Sequence, residues 1–193
     1  MMLYVIIIIA SIIIALLRGG ELEKLSTISM WGVPLFALAL LLRVLIWVFG
    51  LLGFSGLLRY SPFFVIISYL LLIYASVANM KLPGFRYINL GLLLNSFVII
   101  INGGQMPVLL PQEAIQNVNI INILAEETEG LHFLISNNTL FAFLGDVIPM
   151  PKPFPDTSIL SVGDIMIMVG LFILIQKTMK QEEKLPVEEI EKE

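Results

Sequence analysis

Residues 3–17, LYVIIIIASIIIALL, carry no charged side chain, and four more long apolar runs follow at 31–52, 60–79, 85–101 and 158–176. Few architectures accept such runs. An α-helix satisfies its backbone hydrogen bonds within itself and so can lie in hydrocarbon, where an unpaired peptide group costs several kcal/mol. Crossing a core about 30 Å thick at about 1.5 Å per residue takes roughly 20 residues. The first run is short, but Met1, Met2 and the start of Arg18-Gly19-Gly20 extend it to the interfaces. It lacks a basic leader and a small-residue cleavage site, which predicts an uncleaved anchor. Ser29 is a candidate N-cap for the second run, with Pro34 tolerated in its first turn. The expected fold is an all-α membrane protein of about five transmembrane helices, with an ordered extracytoplasmic cap, 102–157, between helices 4 and 5. Composition agrees: 58% of residues are hydrophobic and 13% charged, against about 25% charged in soluble domains.

The basic residues orient the chain. Five spans put Arg18, Lys24, Lys81, Arg86, Lys177, Lys180, Lys184 and Lys192 on one face, and only Arg59 and Lys152 on the other. Lys and Arg are retained in the cytoplasm, so the N-terminus is expected outside and the C-terminus inside a bacterial cytoplasmic (inner) membrane. Residues 1–176 then form one polytopic domain, and 177–193, which mix Lys with Glu, a charged cytoplasmic tail.

The connection 102–157 is too long for a turn. Within it, Ala114, Val118, Ile121 and Ala125 recur at helical spacing, which suits a short helix in the interface plane. Pro149, Pro151, Pro153 and Pro155 alternate and predict extended chain. Glu113, Glu126, Glu127, Glu129, Asp146 and Asp156 face a single Lys152. That acidic balance disfavours nucleic acid and anionic headgroups and mildly favours cations.

Charges inside a span cost from about 3 kcal/mol upward at mid-depth and by default face the bundle interior. Arg43 in the second run and Asp164 in the fifth lie roughly 13 and 9 Å from the outer ends of their helices, within one layer. Asn95 in the fourth joins them. Gly91, Asn95 and Asn102 share a helical face, the small-beside-polar pattern of a close helix contact. A cluster of Arg43, Asn95, Asn102 and Asp164 is therefore expected, with Arg43 and Asp164 paired. His132, the one histidine, reads as a partly exposed loop residue, and no ligand spacing points to a metal. The chain holds no cysteine and no nucleotide or nucleophile fingerprint, so neither a catalytic residue nor a cofactor is expected, and an enzyme is disfavoured.

Four motifs, LLRGG at 16–20, NSFVIIINGGQMP at 95–107, LGDVIPMP at 144–151 and SVGDIMIMVG at 161–170, resemble a family of bacterial membrane proteins of unknown function. The resemblance covers nearly the whole chain. It implies an inner-membrane protein, supplies no activity, and singles out Asn95, Asn102, Gly103, Gly104, Met106, Pro107, Gly145, Asp146, Pro149, Gly163 and Asp164. Of these, Gly103, Gly104, Met106, Pro107, Gly145, Asp146 and Pro149 form a candidate cap motif.

Three functions fit. The first is a structural or accessory subunit whose polar cluster fixes helix packing, with the lipid bilayer and a membrane-protein partner or second copy as its contacts. The second is a transporter or binding protein for a small polar or cationic solute entering under the cap. The third is an intramembrane lipid-modifying enzyme using Asp146, Asp164 and His132 as acid or base.

Overall fold

The computed structural model describes residues 2–110, 131–150, 154 and 159–180. The expected interface helix at 111–125, most of the acidic residues of the connection, Pro151, Pro153 and Pro155, and the tail beyond residue 180 lie outside them.

The apolar runs form helices α1 (Met2–Leu17), α2 (Val33–Leu51), a one-turn α3 (Ser55–Leu58), α4 (Ser61–Ala78), α5 (Phe85–Ile101) and α6 (Val162–Met179). Glycine stops three of the long helices in the same way, α2 among them: the Phe54 amide donates to the Phe49 carbonyl and the Gly53 amide to Gly50, with Gly53 at φ 70°. After α5 the Gly104 amide donates to the Ile99 carbonyl and the Gly103 amide to Ile100; after α1 the Gly20 amide donates to Ala15 and the Gly19 amide to Leu16. Each pattern is a Schellman motif, which needs a left-handed residue just past the helix. Gly103 and Gly19 supply it at φ 77° and 78°. The Gly103-Gly104 and Gly19-Gly20 motifs are thus helix stops. Ser29 does not cap α2, because Gly32, left-handed at φ 72°, occupies the N-cap position.

Helix directions follow from the contacts. Tyr4 of α1 meets Asp164 of α6, and Arg18 meets Gln176 further along both helices, so α1 and α6 run parallel. Asn79, just past α4, bonds the Trp31 backbone ahead of α2, while Arg43 of α2 lies over Tyr69 of α4. Those helices are therefore antiparallel. The closest pairing joins α5 and α6. A methyl built on Gly91 would strike the Gly163 carbonyl, and one on Gly84 the Gly170 carbonyl, with reciprocal clashes from Gly163 and Gly170. Glycines seven residues apart on both helices present one face every two turns, letting the backbones touch.

Three helices, α2, α4 and α6, are long and apolar enough to cross a membrane; α1 and α5 are shorter apolar helices. In α2 only Ala39 and Ile46 are buried, and Leu38, Leu40, Leu41, Val44, Leu45 and Trp47 face outward. An apolar face this continuous is consistent with contact with lipid.

The all-α expectation needs one amendment, since the chain after α5 contains short strands. Strand β1 (Met106–Val108) pairs in parallel with β2 (His132–Leu134), and β3 (Ile148–Pro149) pairs antiparallel with β4 (Ile159–Leu160). This layer is pinned to the bundle. The Asn102 amide donates to the carbonyls of Val98 and Leu140, and its oxygen accepts from the Leu140 amide. Gly104 lies where a side chain would meet Pro62, and Met106 belongs to the main hydrophobic core.

Candidate functional site

At the end of the bundle where α1 and α6 begin and α5 finishes, a cavity of about 290 Å³ separates the helices from the strand layer. The helices contribute Tyr4, Arg43, Tyr69, Asn95 and Asp164; the layer contributes His132 and Asp146; Met106, Leu131 and Ile159 are among the apolar groups between them.

Asp164 stands in the first turn of α6, where helix amides are unpaired. Ser161 and Asp164 form a capping box: the Asp164 amide donates to Ser161 Oγ at 2.9 Å, and the Ser161 amide to Asp164 Oδ2 at 3.1 Å. The other oxygen, Oδ1, accepts from Tyr4 OH at 2.8 Å and Asn95 Nδ2 at 2.9 Å. Ser161 Oγ in turn donates to Asn95 Oδ1 at 2.8 Å. This network ties α1, α5 and α6 together. The Asn95 side chain fits because Gly163 lies opposite it and has no Cβ.

Arg43 differs from the expected arrangement. It lines the same cavity as Asp164, but among the described residues it makes no salt bridge. Its guanidinium carbon lies 4.5 Å from the centre of the Tyr69 ring, a cation–π contact that adds to stability without neutralising the charge. Asn102 does not join the cavity either; both ends of its amide are used by Leu140 and Val98.

The cap-motif residues come together in the strand layer. The Asp146 amide donates to the Pro107 carbonyl and the Leu109 amide to the Asp146 carbonyl, so Asp146 flanks β1 opposite β2. Gly145 is required there, since a Cβ would strike the Pro107 carbonyl oxygen. Pro149 lies in β3. On the other side of β1, His132 stands in register with Met106. His132 is thus a cavity residue on a strand, and the loop assignment is corrected. It remains partly exposed, and its place at the cavity depends on long-range strand pairing, which local sequence does not announce.

His132 Nε2 lies 3.6 Å from Asp146 Oδ2, and among the described residues His132 Nδ1 and Asp146 Oδ1 are buried without a hydrogen-bond partner. Burial, aided by Arg43, holds the imidazole pKa down to about 4. Burial, with the nearby Asp164 carboxylate, pushes the Asp146 carboxyl up to about 8. Near neutrality the two groups therefore face each other uncharged.

A pH signature follows. Between 3.8 and 8 the folded protein retains a proton on Asp146 that the unfolded chain has lost, so stability falls with rising pH. Between 4 and 6.5 His132 acts oppositely, because the unfolded chain holds the extra proton. The two offset each other below pH 6.5. From 6.5 to 8 only Asp146 acts, and stability should fall by up to about 2 kcal/mol at roughly 1.4 kcal/mol per proton and pH unit. Melting curves in detergent across this window should show the fall in the wild type and a flat profile in Asp146→Asn.

Comparison with known proteins places this geometry in a family. Residues 27–176 match DUF5317, a family of unknown function. The chain belongs to that family. The matched residues include α2 through most of α6, and with them every cavity residue named above except Tyr4. A Thermotoga maritima protein described as uncharacterized is 27% identical over 154 residues, 80% of this chain and 79% of that protein. No solved structure matches the chain.

Sequence reasoning overlooked Tyr4, Tyr69 and Ser161. The Ser161-Val-Gly-Asp164 spacing is itself a capping-box signal. Tyr4 and Tyr69 carry no such mark within their apolar runs.

Proposed function

We propose that this DUF5317 protein spans the bacterial inner membrane five times, N-terminus outside, and binds a small polar solute carrying both charges in the pocket beneath its extracytoplasmic cap. The observation that carries the reading lies on the cavity wall: among the described residues, Arg43 and Asp164 line one space without a salt bridge between them. A charge held away from water costs several kcal/mol unless it is paired. A zwitterion placed between the two would give each charge a counter-charge, and the orphaned atoms of His132 and Asp146 add a donor and an acceptor. The volume, about 290 Å³, sits at the small end of the roughly 300–1,000 Å³ range of ligand pockets.

The structural-subunit reading keeps one specific support, since the Tyr4, Asn95, Ser161 and Asp164 network is complete without a ligand. Thermal unfolding of the purified protein against a zwitterionic amino acid, choline and acetate separates the two. Binding at a hundred times Kd stabilises by about 2.7 kcal/mol. The zwitterion should raise the melting temperature most, and Arg43→Gln, which breaks none of the hydrogen bonds described, should remove that rise. A flat response to all three solutes, or a rise that survives in Arg43→Gln, would return the cluster to a purely structural role.

A further inference from the structure

The opposite end of the bundle carries a second feature, independent of the outer pocket. Because α1 and α6 run parallel, their C-terminal ends emerge together, forming an open groove of about 460 Å³ lined by Arg18, Phe172, Ile173, Gln176, Lys177 and Lys180. Phe172, Gln176 and Lys180 repeat every four residues, so they form one stripe of α6 that passes from apolar to basic toward the helix end. Arg18 faces this stripe from the end of α1. Its Nη1 donates to Gln176 Oε1 at 2.9 Å, while Gln176 Nε2 donates to the Ser11 carbonyl at 2.6 Å. The guanidinium is thereby held in place beside the groove. Among the described residues, neither Lys177 nor Lys180 has a carboxylate partner.

Three cations exceed what the helix ends require. Each C-terminus is equivalent to roughly −0.5 charge, about −1 for the two, so among the described residues a surplus of about two positive charges remains. Below it, Phe172 and Ile173 open onto the apolar flank of the bundle. We infer that this groove binds an anionic phospholipid, its phosphate held by Arg18, Lys177 and Lys180 and an acyl chain lying along Phe172 and Ile173. Basic pockets between membrane helices on the cytoplasmic side suit such headgroups. The inference rests on the membrane reading and not on the solute pocket.

Native mass spectrometry of the full chain in mild detergent tests it, with phosphatidylglycerol, phosphatidylcholine or glycerol phosphate added. The wild type should retain phosphatidylglycerol over phosphatidylcholine. The paired change Lys177→Ala and Lys180→Ala, which disturbs none of the side-chain hydrogen bonds described, should lower that retention about thirtyfold. Replacing both lysines by arginine should preserve it, as should alanine at Lys81 and Arg86. Equal retention of the two lipids, or undiminished phosphatidylglycerol in the double alanine variant, would overturn the site. Glycerol phosphate binding as tightly as the lipid would also overturn it, by assigning the groove to a soluble anion. None of these outcomes bears on whether a zwitterion binds beneath the cap.

Discussion

Gly163→Ala is expected to cost at least about 3 kcal/mol, at the upper end of what overpacking imposes. The added methyl meets both the Asn95 side chain and the Gly91 carbonyl oxygen. Neither is the free end of a flexible side chain, so α5 and α6 must separate, and the separation pulls Asn95 from Asp164. Gly91→Ala should behave similarly, because its methyl meets the Gly163 carbonyl and Ile167. Gly50→Ala is the matched control: it too lies in a helix, but nothing stands within 4 Å of its built Cβ. There the better helix propensity of alanine should leave stability unchanged or raise it by up to about 1 kcal/mol. Thermal unfolding in detergent gives the comparison. Equal melting temperatures for Gly163→Ala and Gly50→Ala would show that backbone contact between α5 and α6 is not what holds the bundle together.

Asp164→Ala should be almost as damaging, for a different reason. It strands three donors at once, Tyr4 OH, Asn95 Nδ2 and the Ser161 amide. At about 1 kcal/mol or more for each unpaired donor, the loss is about 3 kcal/mol. Tyr4→Phe removes one donor and leaves the carboxylate its other two, so about 1 kcal/mol is expected. A double-mutant cycle between Asn95→Ala and Asp164→Ala should give a coupling energy well above zero, since the two share a network. If Asp164→Ala melts no lower than Tyr4→Phe, the carboxylate is not the hub of that network.

The two effects differ in how far the sequence announces them. Gly84, Gly91, Gly163 and Gly170 are visible as glycines in apolar runs, but their reciprocal contacts require knowing that α5 and α6 are antiparallel and in that register. The Ser161-x-x-Asp164 spacing is local and readable, because a capping box is closed within one helical turn. Reading Asp164 only as a buried charge needing Arg43 as its partner overlooks that box, which together with Tyr4 and Asn95 meets the needs of the carboxylate, while Arg43 makes no salt bridge among the described residues and lies over Tyr69. Asn102 shows the opposite limit. Its place on the Gly91–Asn95 face was legible, but as the C-cap just past α5 it turns to the Leu140 backbone, 38 residues on.

What the sequence determined by itself is where the helices lie and where they stop. Apolar runs, and the glycines that end α1, α2 and α5, act within a turn or two of the chain, so Met2–Leu17, Val33–Leu51, Ser61–Ala78, Phe85–Ile101 and Val162–Met179 follow to within a few residues from local physics. The tertiary structure alone decided which helix faces meet, and therefore which polar groups are satisfied and which are left facing a cavity. Tyr4 reaches Asp164 across 160 residues, and His132 reaches the cavity through its parallel pairing with Met106. Contacts of that range depend on packing summed over the whole bundle, so no local stretch of sequence encodes them.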